Sequence, residues 1–214
     1  LGDEVLAANR VGADPGRRFL PRPNGLPAGW PAAVYPAFDP DGSLTYFQAR
    51  LLEPPEGRCK YDNPASRWAA NPRVAWTKPI SATSSPGRGL VVTEGIADAL
   101  VAVQAGYRSV GVLGSTYPDR EVARRISQGA IEIGVQRVVV CFDADVAGRT
   151  GSSRLVDLLN GCGVEDVVEV VPPAGLDLSE WASTGNAVAE AFRATATPDL
   201  GIKDASVRSL GLEL

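Results

Sequence analysis

From Leu90 to Pro173 the chain alternates short valine-rich runs with longer stretches of helical period, and this alternation restricts the fold more than any other feature. "GLVVTEG" reads as a strand ending at Glu94 and Gly95, and "IADALVAVQAG" places Ile96, Leu100 and Val103 on one helix face before stopping at Gly106. "SVGVLGS" predicts a second strand, "DREVARRISQGAIEIG" a second helix and "QRVVVCFDAD" a third strand. "AGRTGSSRLVDLLNGCG" then predicts a third helix and "VEDVVEVVPP" a fourth strand closed by prolines. Strands joined by helices of this length run parallel, because a right-handed crossover returns each strand to the same edge. The expected fold is α/β, a mostly parallel sheet flanked by helices.

The residues ahead of Leu90 have another character. "DPGRRFLPRPNGLPAGWP" is dense in proline and glycine, which implies turn-rich backbone. In "AAVYPAFDPDGSLTYFQARLL" the pair Asp41-Gly42 separates two runs of aromatic and β-branched residues, a hairpin signal. "RCKYDNPASRWAANPRVAWTKP" continues as short strands and loops, and "SATSSPGRG" reads as a connecting segment. The expected organisation is a smaller mixed α+β subdomain over residues 1–88, the α/β domain over 89–182, and a C-terminal helix and tail over 183–214. Charge follows a similar division. Residues 1–90 carry 11 Lys and Arg against 8 Asp and Glu, a net +3, whereas residues 91–214 carry 10 against 17, a net −7. A basic surface suits a phosphate backbone and an acidic centre suits divalent cations, although such a skew also arises by chance.

Composition removes several chemistries. Histidine is absent, which excludes Ser-His nucleophiles, the usual general base and the H-E-x-x-H zinc site. The three cysteines, Cys59, Cys141 and Cys162, form no CxxC pair, so structural zinc and a disulfide framework are not expected. No apolar run is long enough to cross a bilayer and the N-terminus has no secretory apolar region, which predicts a soluble, cytoplasmic protein without a membrane partner. The lack of any methionine, including at position 1, predicts a piece of a longer protein.

What remains is carboxylate chemistry at one sheet edge. In a parallel α/β sheet, ligands bind outside the carboxyl ends of the strands. Glu94 ends the first strand of the unit, Asp98 follows on the first helical turn, Asp143 and Asp145 end the third strand, and Asp177 in "PAGLDLSEW" follows the fourth. Residues two apart on a strand share a face, so Asp143 and Asp145 are expected side by side. Each acid also has a structural reading: Asp98 as a first-turn acid, Asp145 as the cap of the next helix, Asp177 as the cap of a short helix with Glu180 and Trp181. Caps need no common edge, whereas a magnesium or manganese site needs several hard oxygens converging on one point. Glu94, ahead of a glycine, suits a ligand or a proton acceptor equally.

"VVTEGIADAL", "VLGST", "VVVCFDADVAGR" and "GLDLSEW", in this order and spacing, resemble the Toprim domain shared by DnaG-type primases, topoisomerases and some nucleases. Its glutamate motif matches Glu94-Gly95 with Asp98, and its D-x-D motif matches Asp143 and Asp145. "LGDEVLAANRVGADPG", "VYPAFDPDGSLTYFQARLL" and "KYDNP" are similar to the basic subdomain that precedes Toprim in bacterial and phage primases, so the resemblance spans residues 1–182. It implies Arg50 as the arginine after the hairpin and Lys60, Tyr61 and Asn63 as the "KY-x-N" stretch. Arg50, Lys60 and Lys78 would hold phosphates, with Arg149 added to the nucleotide-binding set, and Tyr61 either stacks on a base or packs in the hairpin layer. The implied function is metal-dependent synthesis of RNA primers on a single-stranded DNA template from nucleoside triphosphates, with Glu94, Asp143 and Asp145 catalytic. The implied metal ligands are Glu94, Asp98, Asp143, Asp145 and Asp177, holding Mg2+ or Mn2+. The implied partners are template, nucleoside triphosphates and the RNA primer hybrid, with a replicative helicase engaged through other regions. The chain departs from the family where a second D-x-D-like pair is common, since Asp177-Leu178-Ser179-Glu180 stands there. Alternatives are a Toprim nuclease, a topoisomerase fragment, or a non-catalytic module that binds single-stranded DNA or a helicase.

Overall fold

The computed structural model describes residues 1–16, 23–26, 30–80, 89–114, 117–173 and 175–184, with Val188, Ala191 and Phe192. The expected connecting segment, apart from Gly89, and most of the expected C-terminal helix and tail lie outside the described residues.

Helix α1 (Asp3–Ala8) is followed by β1 (Gly12–Asp14), β2 (Ala32–Phe38), β3 (Leu44–Leu51), β4 (Tyr61–Asp62) and β5 (Val74–Trp76). The expected hairpin is β2–β3: Phe38 pairs with Leu44, and the Asp39 N–H donates to the Ser43 carbonyl at 2.9 Å across the turn. Gly42 has φ of 84°, a left-handed backbone that glycine adopts without steric cost. The alternating unit then follows as β6 (Leu90–Thr93), α2 (Ile96–Gln104), β7 (Arg108–Val112), α3 (Arg120–Glu132), β8 (Arg137–Cys141), α4 (Val146–Gly161), β9 (Asp166–Glu169) and α5 (Leu178–Ser183).

All nine strands belong to one sheet, ordered β4-β3-β2-β5-β7-β6-β8-β9, with β1 paired to β2. β7, β6, β8 and β9 are parallel, as helical crossovers require, while β5 lies antiparallel to β7 with Trp76 opposite Val110. The sheet therefore continues without a break across the boundary expected at residue 88. Alternation along the parallel strands sends Leu90, Val92, Val110, Val112, Val138 and Val140 to the face covered by α3 and α4. Val91, Val139 and Cys141 face α2 and α5, where Leu178 and Trp181 close over them. On that same face Ile96, Leu100 and Val103 pack with Ala37, Tyr46 and Ala75, so α2 grips both the parallel unit and the N-terminal strands.

The D-x-D expectation needs correction in one respect. β8 ends at Cys141, and residues 142–145 leave the pleat before α4 begins, so strand alternation does not set the two carboxylates side by side. Asp145 is instead the N-cap of α4, accepting from the Gly148 N–H at 2.7 Å. The cause is helix initiation: the first N–H groups of α4 lack intrahelical partners, and an aspartate in extended backbone satisfies one of them.

Candidate active site

Each helix that follows a parallel strand starts at the carboxyl edge of the sheet, so α2 and α4 direct their positive ends there. Two glycines allow the close packing this requires. A side-chain carbon on Gly111 of β7 would lie 2.6 Å from the Gly95 carbonyl carbon, and one on Gly148 of α4 would lie 2.2 Å from the Asp143 carbonyl oxygen.

The acids meet along this edge. The Asp143 N–H donates to Glu94 Oε2 at 3.4 Å, and Ser179 Oγ donates to Asp98 Oδ1 at 3.0 Å, joining the start of α5 to the start of α2. Burial raises the Asp98 carboxyl to about 6; the Ser179 hydrogen bond and Arg50 oppose this, and the Asp143 and Asp177 charges add to it. Glu94 is also raised, first by burial and then by Asp143, Asp145 and Asp98. For Asp143 the causes are burial, then Asp177, Asp145 and Glu180, with Lys60 pulling the other way. These carboxylates feel one another's charge, and a hard divalent cation is the natural means of relieving such repulsion.

The donor set, all carboxylate oxygens, fits magnesium or manganese. Among the described residues no three acidic or thiol side chains stand close enough to cage an ion as they are, so the arrangement is an open edge. Two of the acids also have structural duties. Asp145 caps α4, and Asp177 forms a reciprocal capping box with Glu180, donating its N–H to Glu180 Oε2 at 3.1 Å and accepting from the Glu180 N–H at 2.7 Å. Each keeps a second oxygen for another partner. The cap and ligand readings therefore coexist at both positions.

The N-terminal strands bring cations to the same place. Arg50 of β3 pairs across the ladder with Tyr61 of β4. The Tyr61 phenol is raised by burial, lowered by Arg50 and raised again by Asp98, Tyr35 and Asp143, which places this strand pair beside the acids. Lys60, just ahead of β4 and held by the Leu51 N–H donating to its carbonyl at 2.8 Å, acts on Asp143 from the same side. Tyr61 is half-buried, and Asn63 is exposed just beyond β4. Arg149 donates from Nη1 to the Ala144 carbonyl and so braces the turn between Asp143 and Asp145.

Lys78 does not join them. β5 runs antiparallel to β7, so residues past its end stand beside Arg108 and Ser109, at the amino edge of the parallel strands and away from the acids. The Lys78 ammonium rests 4.4 Å from the Phe38 ring centroid, and its backbone N–H donates to Asn9 Oδ1 at 2.6 Å. Position along the chain carries no strand direction, which is why the sequence misplaced it. Sequence reasoning also overlooked a cleft of about 420 Å³ next to Glu94, walled by Tyr117 and Phe142. The available signal was an aromatic residue, Tyr117, soon after β7.

A parallel sheet with a glutamate-glycine turn after one strand and a D-x-D turn after another defines a class: residues 91–182 match the family model described as Toprim-like. Over 177 residues the chain is 28% identical to a DNA primase of Enterococcus faecalis, covering 78% of this chain and 27% of that protein. Among solved structures, the Aquifex aeolicus primase, comprising zinc-binding and RNA polymerase domains, superposes with a TM-score of 0.67 at 21% identity over 92% of this chain and 52% of that one. A DnaG primase catalytic domain bound to single-stranded DNA superposes with a TM-score of 0.66 at 22% identity, covering 92% of this chain and 71% of the other. The chain has the architecture of a DnaG-type primase catalytic core. It spans about a quarter of the length of the DNA primases it matches.

Proposed function

We propose that this chain is the catalytic part of a DNA primase, a nucleotidyltransferase that joins nucleoside triphosphates into RNA primers on a single-stranded DNA template. The observation that carries this reading is the convergence of Glu94, Asp98, Asp143 and Asp177 on one sheet edge, with Arg50 and Lys60 set against them from the preceding strands. Carboxylates alone would repel a triphosphate; cations alone would bind it without holding a divalent ion. Both together suit phosphoryl transfer, where positioning and charge stabilisation do most of the catalytic work.

Glu94, Asp98, Asp143, Asp145 and Asp177 would hold Mg2+ or Mn2+, which when bound supplies charge neutralisation for the attacking and leaving oxygens. The remaining roles belong to the chain itself. Arg50 and Lys60 attract the triphosphate, and Tyr61 and Asn63 border its seat. The Glu94 carboxyl, raised by burial and by Asp143, would accept the proton of the attacking 3′-hydroxyl. The 3′-oxygen forms its bond to the α-phosphorus while the bond from that phosphorus to the β-bridging oxygen breaks, and pyrophosphate leaves. The N-terminal strands would carry the template and primer hybrid; helicase contact would belong to other regions of a longer protein. Among the described residues no helix is long and apolar enough to cross a membrane.

The test is incorporation of labelled nucleoside triphosphates on a single-stranded template with manganese. Template-dependent oligoribonucleotides are expected from the intact chain, with a loss of at least about a hundredfold in Asp143→Asn, the scale on which removal of a transition-state charge stabiliser acts. Plasmid cleavage without polymerisation would reassign the site to a nuclease. Single-stranded DNA binding with no metal-dependent heat in calorimetry would reduce it to a binding module.

A further inference from the structure

We propose that the cleft beside Glu94, lined also by Val112, Tyr117, Pro118, Phe142 and Gly151, seats the base and ribose of the nucleotide whose 3′-hydroxyl attacks, the terminal nucleotide of the growing primer. The inference rests on the primer-synthesis reading and divides its active site into two sides.

The division follows from where the elements lie. Asp98, Ser179 and Asp177 belong to the α2 and α5 face, and Arg50 and Lys60 reach the acids from the β3–β4 pair. The cleft opens on the α3 and α4 face, since Val112 and Phe142 belong to the core beneath those helices. Among the described residues that line it, Glu94 is the one that carries charge, and none is lysine or arginine. A triphosphate therefore gains little there and much on the Arg50 and Lys60 side. What the cleft suits is an uncharged, flat, partly apolar group whose hydroxyls can reach a carboxylate, and a nucleoside is such a group.

Its walls match that occupant. Tyr117, 47% exposed, stands at the rim, and Phe142, 5% exposed, forms the floor. Aromatic faces accept any base, so a stacking seat holds the primer end without regard to sequence. A volume of about 420 Å³ lies within the range of small-ligand sites, about 300–1,000 Å³. Gly151 lets α4 pack closely on these rings. A glycine inside a helix is less favourable than alanine, yet a side-chain carbon at this point would lie 3.3 Å and 3.4 Å from the Phe142 ring and 3.6 Å from Tyr117. The helix forgoes a better residue where one would press on the Phe142 ring that floors the cleft. Glu94 then stands between the sides, facing the 3′-hydroxyl on one and the metal-holding carboxylates on the other.

The experiment uses an RNA primer annealed to a DNA template, with 2-aminopurine riboside at the primer 3′ end and no nucleoside triphosphate, and follows anisotropy for binding and 2-aminopurine emission for stacking. Wild-type protein and Tyr117→Phe are expected to bind and quench. Tyr117→Ala is expected to lose the quench and to raise the KM for the hybrid about tenfold, the scale of losing one base stack, while the KM for the incoming triphosphate changes less than about twofold. Hybrid bound by wild-type protein with unquenched emission would overturn the cleft assignment alone, as would a Tyr117→Ala defect confined to the triphosphate KM. No binding of the hybrid at all would overturn the primer-synthesis reading and this inference with it.

Discussion

At the scale of single residues the site holds its acids against their electrostatic preference, and Asp98 shows the cost. Its carboxyl, about 6 in the fold against 3.8 for the free side chain, is raised chiefly by burial. A carboxylate raised on folding favours the folded state while it is protonated, and that contribution is lost as pH climbs from about 4 through 6. Above 6 the ionised group is a standing cost of about 3 kcal/mol. Asp98→Asn keeps an acceptor for Ser179 and removes the charge. The metal-free variant is expected to melt several degrees above wild type at pH 7.5 and level with it at pH 4; equal melting at both values would show that the fold does not hold the Asp98 carboxyl above its free value. Much of this cluster was legible beforehand, because Glu94, Asp98 and Asp143 sit where β-α units must end or begin. The other residues were less so. Asp145 and Asp177 each satisfied both of two readings, since cap geometry and edge location are compatible, and Lys78 was misplaced because residue type says nothing about which end of a sheet a strand delivers it to.

At the scale of elements, helix starts are welded to strand ends through glycine, and α4 contains its own control. At Gly148 an added carbon would lie 2.2 Å from the Asp143 carbonyl oxygen, which belongs to backbone and cannot step aside; at Gly161, in the last turn, nothing lies within 4 Å. Gly148→Ala is expected to cost about 1–3 kcal/mol by overpacking and to shift the D-x-D turn. Gly161→Ala is expected to gain up to about 1 kcal/mol from helix propensity. Urea midpoints of the two variants check this, and a shared sign would contradict the close approach of α4 to Asp143. Helical period located α2, α3 and α4 within a residue or two. The end of β8 could not be read so closely, because "VVVCFDAD" stays apolar through Phe142 while the pleat stops at Cys141; Phe142 serves the α3 and α4 core from outside the strand.

For the whole molecule, the sequence divides where the structure is joined. Composition, charge and the Ser81 to Gly89 stretch all suggest separate units, yet β5 pairs with β7 through Val74, Ala75 and Trp76 opposite Val112, Gly111 and Val110. Trp76 also lies against α3, where a side-chain carbon at Gly129 would lie 2.1 Å from its ring. Antiparallel pairing across a long connection is invisible to local pattern: three short residues, "VAW", carry it, and nothing near them names their partner. The join has a functional consequence, because Arg50 and Lys60 belong to one part and Glu94, Asp98 and Asp143 to the other, so a hinge between them would separate the cations from the acids. Shared core and shared sheet make independent melting unfavourable, since parting the halves would bare Trp76, Val110 and Val112 and leave an open strand edge. Calorimetry of the intact chain is expected to give one unfolding transition with equal calorimetric and van't Hoff enthalpies, and the segment from residue 89 to 192 expressed alone is expected to associate through the β7 edge. Two resolved transitions would mean that the joint is weak, and with it the fixed distance between Arg50 and Lys60 on one side and Glu94, Asp98 and Asp143 on the other.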